Sequence, residues 1–386
     1  MKVLHCIASL EPSYGGPVKV VQGLCTGLMK LGISVSVLTS STGDAEKDAR
    51  LAASWPGVEI LWTRPLVRRY YWNPLLPLTL KRRLAGFNLL HVHGVFNGLV
   101  SAACRAGRSA RIPYVLEPFG TLSPYCLKKS AWLKQIALAA GERRSIEGAA
   151  SVCFTSEAEQ YKALEKFKII DSFVAPNGVF MDEFEGLRPS GHYRASIGLG
   201  PEDGILLFIG RLQPIKGLEV FLPAFIRWQA SQPRKWRAVL VGPDEGGYRS
   251  KLEALVGRLG GEVCVDFAGP LYGSDRLSLL AESDVVFLTS YHENFGIAAA
   301  EGMACGKPIL VSETMDIAGT VRSQAMGEVA PLTVEGIVAA LERLAGRRGE
   351  WDAMGRRGKE WARANCDWTR PAGITAEKYR QILVGL

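Results

Sequence analysis

Glu293 and Glu301 are two carboxylates with seven residues between them, in the run Tyr291-His292-Glu293-Asn294-Phe295-Gly296-Ile297-Ala298-Ala299-Ala300-Glu301-Gly302-Met303-Ala304-Cys305-Gly306. The apolar run before it, Asp284 to Ser290, reads as a buried parallel strand. The Ala-rich segment from about Phe295 to Cys305, stopped by Gly306, reads as a short helix. Glu293 is then expected on the loop at the strand's carboxyl end, and Glu301 about two turns down the helix. Amides at a helix start have no intrahelical partner, and the helix dipole favours a negative group there. With a carboxylate on each side to hold hydroxyls, and amides between them to hold phosphate, the run points to a nucleotide-sugar site.

A second set lies upstream in the same half, Gly210-Arg211-Leu212-Gln213-Pro214-Ile215-Lys216-Gly217. Arg211 offers a planar fork for phosphate oxygens and Lys216 a compact charge. Together they are suited to stabilise a departing nucleoside diphosphate as negative charge develops on it. Two basic residues on a loop would by themselves read as solvated surface; the glutamate pair argues for a joint site.

Near the N-terminus, Gly15 and Gly16 follow the first expected strand and let the backbone approach a ligand, with Pro17 suited to a first helical turn. His91 and His93 end another strand. They are expected on opposite sides of the sheet and unable to share a metal, with His93, beside Gly94, emerging into a crevice to donate a hydrogen bond to a sugar hydroxyl. No Asp-x-Asp occurs in the chain, so no divalent metal is expected on the diphosphate and no cofactor is called for. A G-x-G-x-x-G fingerprint, a G-x-S-x-G elbow and a phosphate-binding G-x-x-x-x-G-K-[ST] loop are also missing, which argues against dehydrogenase, hydrolase and P-loop chemistry.

The elements that must position these residues alternate. Strands are expected at 3–8, 34–39, 58–62, 89–92, 114–117 and 151–155, with helices at 18–31, 97–106 and 130–146 between them. After a turn-rich break at Ala175-Pro176-Asn177-Gly178-Val179 the pattern restarts. Strands follow at 205–209, 238–241, 263–267, 285–289 and 308–311. Helices follow near 217–228, 248–259, 274–282, 333–344 and 369–384. Such alternation predicts an α/β chain of two facing Rossmann-like domains, with ligands at the strands' carboxyl ends and hence in the cleft between them.

Composition agrees. The 386 residues are 47% hydrophobic and 22% charged, too many for one ordinary core and unlike a disordered chain. Eight cysteines without a C-x-x-C pair suit reduced thiols in a cytoplasmic protein. No segment reads as a signal peptide or membrane span. Residues 1–175 carry 22 Lys and Arg against 12 Asp and Glu, so the first half is basic and an anionic neighbour is expected. Arg64-Pro65-Leu66-Val67-Arg68-Arg69-Tyr70-Tyr71-Trp72-Asn73-Pro74, with Lys81-Arg82-Arg83 and Lys128-Lys129, mixes cations and aromatics. A peripheral contact with the inner face of a membrane would use that mixture; so would single-stranded nucleic acid, and an aromatic core with solvated cations would need no partner.

Taken together, these residues resemble the family 4 (group 1) glycosyltransferases, retaining enzymes of GT-B fold. The resemblance rests on Gly15-Gly16, His93, Pro176-Asn177-Gly178-Val179, Gly210-Arg211-Leu212 with Lys216-Gly217, Val241-Gly242-Pro243, Phe267-Ala268-Gly269, the Glu293 and Glu301 pair, and Asp367-Trp368-Thr369. It implies an N-terminal acceptor-binding domain over 1–175, onto which a final helix (369–386) crosses back, and a donor-binding domain over 176–368. It further implies that Arg211 and Lys216 contact the donor diphosphate, that Glu293 binds the transferred sugar and that Glu301 binds the ribose. The run Asn294-Phe295-Gly296-Ile297 would turn its amides to the phosphates. The implied activity is metal-independent, retaining hexosyl transfer from a nucleotide sugar to a glycan or lipid-linked glycan, as in lipopolysaccharide or exopolysaccharide synthesis. Phe180 and the segment Ser312 to Gly319 depart from the family pattern. A sugar-nucleotide epimerase, a soluble synthase or phosphorylase of this fold, and a non-catalytic basic nucleic-acid-binding protein remain as alternatives.

Overall fold

The computed structural model describes residues 1–385 apart from Lys129, Asn294 and the side chain of Tyr125. The chain forms two compact units, Met1–Gly178 with Trp368–Leu386, and Val179–Asp367.

The first unit holds seven parallel strands, β1 (Lys2–Ile7), β2 (Ser34–Ser40), β3 (Glu59–Thr63), β4 (Leu89–His93), β5 (Tyr114–Glu117), β6 (Ser151–Phe154) and β7 (Ser172–Val174), in the order β3-β2-β1-β4-β5-β6-β7. Strands β1, β4, β5 and β6 are buried almost throughout because helices cover both faces of a parallel sheet. The order reverses between β1 and β4, which makes their carboxyl ends the switch point of this unit. Gly23 and Gly27, four apart on one stripe of the helix Gly16–Lys30, let the final helix Thr369–Val384 close in. A Cβ on Gly23 would lie 1.9 Å from the Trp368 ring, and one on Gly27 2.7 Å from the Trp368 carbonyl oxygen. The last helix therefore belongs to the first unit.

The second unit has six parallel strands, β8 (Gly204–Ile209), β9 (Trp236–Val241), β10 (Val265–Gly269), β11 (Val285–Leu288), β12 (Ile309–Ser312) and β13 (Gly327–Ala330), ordered β10-β9-β8-β11-β12-β13. Strand alternation divides its core in two. Leu207, Val239, Val286 and Ile309 face one layer of helices, while Phe208, Leu240, Phe287 and Leu310 face the other. Here the switch point lies between β8 and β11.

Several elements differ from expectation. The segment 130–146 is not one helix: Ala131–Ala137 passes through a π-helical turn, Leu138–Glu142, into Arg143–Glu147, with Gly141 at φ 130°. The short strands β7 and β13 were not foreseen, nor was the helix Trp351–Cys366. That helix carries Gly355 and Gly358 because a Cβ at Gly355 would sit 1.9 Å from the Gly306 carbonyl oxygen. Glycines kept for close approach weaken the helical signal in sequence.

Candidate active site

Two loops flank the switch point of the second unit, one leaving β8 and one leaving β11. Their approach is dictated by glycine. Gly217 takes φ 63°, and a Cβ there would lie 2.2 Å from the Thr289 carbonyl oxygen. The Tyr291 amide donates to the Ile215 carbonyl at 2.8 Å, lacing the loops together. Gly242, at φ 148°, brings the loop after β9 against Gly210, whose carbonyl oxygen lies 1.9 Å from where a Cβ would be.

This lacing sets Lys216 against Glu293, and their side chains form an ion pair that is mostly buried. Arg211, one residue past Gly210, pairs with Glu245 at 3.0 Å and is half exposed. The structure thus brings Lys216 and Glu293 together, and places Arg211 on the same β8 loop with a separate partner. Asn294 lies outside the described residues.

Gly296, in the left-handed region at φ 71°, caps the helix Ile297–Ala304. Expectation placed its start at Phe295 and Glu301 about two turns in; Glu301 is only four residues past the first helical residue, just over one turn. Phe295 packs against the core below this start. The alanines follow from close packing, since a Cβ on Gly302 would lie 2.9 Å from Val286 of β11. Glu301 is buried and ion-paired with Arg276 of the helix Gly273–Glu282, whose other guanidinium nitrogen lies 3.7 Å from Glu183. Sequence reasoning missed Arg276. Its signal was available: Leu279 and Leu280, three and four residues on, are core residues, so the arginine sits on the buried stripe.

Beyond β12, Ser312 and Thr314 both donate hydroxyls to the Ser290 carbonyl, at 2.7 and 2.6 Å. Side-chain hydroxyls thus tie the loop that departs from the family pattern to the loop after β11.

In the first unit, Gly15 at φ 88° turns the chain from β1 into the helix begun by Gly16 and Pro17. His93 is placed differently from expectation. Residues two apart on a strand share a face, and the His91 and His93 rings stack with centroids 4.2 Å apart. Parallel register sets His5 of β1 opposite His91, so three imidazoles gather on one face. Their nearest ring nitrogens all lie within 4.8 Å, within reach of a shared ion. The rings are stacked, however, and the contacts are hydrogen bonds. His93 Nε2 meets His5 Nδ1 at 2.9 Å and His93 Nδ1 meets Glu117 at 2.8 Å. Tyr379, on the final helix, bonds His91 Nδ1 at 2.6 Å.

Burial pushes His93 down to about 3 and Glu117 up to about 8, and it lowers His5 and His91 too. Near pH 7 the consistent proton assignment is therefore a Glu117 hydroxyl donating to His93, whose Nε2–H donates to His5. His93 does not emerge into a crevice. It is buried, with both nitrogens taken inside the unit, and a hydrogen bond to a sugar hydroxyl would first have to break one of these.

Residues 191–361 match the family model for glycosyl transferases group 1, and residues 15–178 match that of a glycosyl transferase 4-like domain. The chain belongs to the group 1 glycosyltransferases. Curated relatives include D-inositol 3-phosphate glycosyltransferases of Rhodococcus jostii strain RHA1, 25% identical over 92% of this chain and 82% of the relative. The Paenarthrobacter aurescens strain TC1 protein of that name is 26% identical over 96% and 94%. Among solved structures, Anabaena HepE in complex with UDP and glucose superposes with a TM-score of 0.78 at 21% identity, over 99% of this chain and 100% of that one. Thermosynechococcus elongatus sucrose-phosphate synthase superposes with a TM-score of 0.78 at 20% identity, over the whole of both chains. At these identities the structures establish the fold, two Rossmann-like units of the GT-B class. All eight cysteines are free thiols, six of them buried. Among the described residues, no helix of this group 1 glycosyltransferase is long and apolar enough to cross a membrane.

Proposed function

We propose that this glycosyltransferase moves a hexosyl group from a nucleoside-diphosphate sugar to a lipid-linked glycan, with retention at the anomeric carbon. The observation that carries the reading is the Lys216–Glu293 pair at the switch point between β8 and β11, beside the helix that begins at Ile297. Open α/β sheets bind ligands at such points. Lys216 and Arg211 meet the diphosphate, with the amides of the helix start, so that leaving-group charge needs no divalent metal. Glu293 holds hydroxyls of the transferred sugar, Glu301 those of the ribose, and Arg276 fixes the Glu301 carboxylate. The anomeric carbon–oxygen bond breaks with its electron pair passing to the departing phosphate. The acceptor hydroxyl forms the new bond on the same face and gives its proton to that phosphate oxygen. The structural neighbour solved with UDP supports the donor class, and the names of the curated relatives support glycosyl transfer.

The first unit carries the acceptor end. Leu66, Leu78 and Trp132 are each about two-thirds exposed, and Tyr70, Trp72, Leu75 and Ile136 are also exposed. Basic residues lie close to them in sequence, Arg64, Arg68, Arg69, Lys81, Arg82, Arg83 and Lys128. Apolar side chains edged by cations suit the anionic inner face of a membrane, where a lipid-linked acceptor resides.

The test is a panel of nucleoside-diphosphate sugars incubated with a membrane extract and read by mass spectrometry. One donor is expected to add a single sugar to a lipid fraction, with unchanged activity in a chelator. Isomerised donor without transfer would establish an epimerase instead.

A further inference from the structure

A groove of about 770 Å³ lies wholly within the first unit, away from the histidine cluster. Its volume falls in the range of small-molecule sites. One wall is the loop around Tyr70 and Trp72, another is the helix Gly98–Ala110, and the third is the π-helical turn Leu138–Glu142 with the residues after it.

These walls are built. The Leu66 and Val67 amides both donate to the Trp72 carbonyl, at 2.9 and 3.0 Å. Gly98 admits that loop, because a Cβ there would lie 2.6 Å from Trp72 Cα. The π turn aims Glu142 inward, where it accepts from the Phe96 amide at 2.8 Å and the Ser101 hydroxyl at 2.5 Å. Phe96 is held at φ 61°, a conformation that a bulky residue keeps only when its surroundings enforce it. A strained aromatic on a cavity is a feature that gathers at functional sites.

The charge of the lining is one-sided. Among the described residues the lining holds three arginines, Arg105, Arg108 and Arg144, and one carboxylate, Glu142, both of whose oxygens are already engaged. Arg108 bonds the Tyr114 hydroxyl at 2.9 Å, whereas Arg105 and Arg144 are exposed. Three guanidinium groups exceed what one carboxylate ligand would neutralise; a diphosphate, with two to three charges and forked oxygens, matches them. The lining also holds Tyr70, Trp72, Pro74 and Pro77, a group continuous in sequence with the exposed Leu75 and Leu78.

We propose that this groove binds the diphosphate of an isoprenoid-type lipid acceptor, with the arginines on the phosphates and the aromatic and proline wall along the chain. The assignment rests on the glycosyltransferase reading above and adds the acceptor's anionic anchor to it.

Farnesyl diphosphate below its aggregation threshold, inorganic diphosphate and farnesol serve as probes in calorimetric titrations of the full chain. Three proteins are compared: wild type, Arg105→Ala/Arg144→Ala and Lys216→Ala. Farnesyl diphosphate is expected to bind wild type and Lys216→Ala alike, and the double variant at least tenfold more weakly. The two part-probes should each bind wild type at least tenfold more weakly than the whole. The groove assignment is overturned by absent binding, by equal binding to the double variant, by equal binding of farnesol, or by a loss confined to Lys216→Ala. A nucleoside diphosphate titrated into the same three proteins separates the two readings. If it binds and Lys216→Ala alone weakens it, the donor site stands whatever the groove does.

Discussion

Replacing Arg276 by Met should destabilise the second unit by about 3 to 5 kcal/mol, the usual consequence of leaving one member of a buried ion pair without its partner. The figure comes from burial: the Arg276 and Glu301 side chains are 9% and 8% exposed. Glu183, the second partner, is 44% exposed and 3.7 Å away, so its share is under about 1 kcal/mol. Most of the loss is then the cost of a buried carboxylate deprived of the Arg276 charge, and it should be recoverable. Arg276→Met/Glu301→Gln replaces that carboxylate by a neutral amide and should return at least about 2 kcal/mol, a non-additivity expected of residues in contact. Urea denaturation of the four proteins in this cycle measures the coupling, and titration with nucleoside diphosphate measures function alongside. Stability should return in the double variant while ligand affinity stays low, because position 301 no longer carries the carboxylate proposed to hold the ribose. Wild-type stability in Arg276→Met, or no recovery in the double variant, would refute the reasoning.

Three further outcomes follow. Lys216→Ala should lower turnover at least tenfold with the circular dichroism spectrum unchanged, since the lost charge lies on a loop; wild-type turnover would contradict its role. Gly242→Ala should cost about 2 kcal/mol and weaken donor binding, because the new methyl meets the Gly210 carbonyl at 1.9 Å; thermal unfolding and titration check both. The buried cluster predicts a pH dependence. Glu117 is raised to about 8, so between the ordinary carboxylate range and pH 8 the folded state holds a proton that the unfolded state has lost, and stability falls as pH rises. His93, depressed to about 3, acts oppositely, raising stability as pH climbs from 3 to the ordinary imidazole range. Of these two effects only that of Glu117 remains above pH 6.5, with a slope of up to about 1.4 kcal/mol per pH unit. Glu117→Gln should flatten the decline between pH 6.5 and 8 in denaturation midpoints, and an unchanged slope would contradict the assignment.

The fold was legible where burial is total. Runs such as Ile205–Ile209 and Val285–Leu288 are continuous apolar segments because both faces of a parallel sheet are covered. The class of two Rossmann-like α/β units also followed, because strands and helices alternate along both halves of the chain. Strands β7 and β13, of three and four residues, carry too little pattern to stand out, and the helix Trp351–Cys366 hides its period behind glycines and a charged run. At the candidate site, residue types were readable and partners were not. That Lys216 reaches Glu293 depends on glycines 217 and 296 bending two loops toward one point. That Arg276 reaches Glu301 depends on how two helices pack. The histidine cluster was misread: His91 and His93 were expected on opposite sides of the sheet, whereas the period of two puts them on one face, and the β1–β4 register, which no local pattern encodes, adds His5.

On the proposed function, a diphosphate is gripped at the β8–β11 switch point by Lys216, Arg211 and the start of the helix Ile297–Ala304. Calorimetric titration of the full chain with a set of nucleoside diphosphates, in chelator, tests this most directly. At least one should bind saturably, and at least tenfold more weakly to Lys216→Ala and to Arg211→Ala. Saturable binding by none of them, or undiminished binding to both variants, would contradict the account.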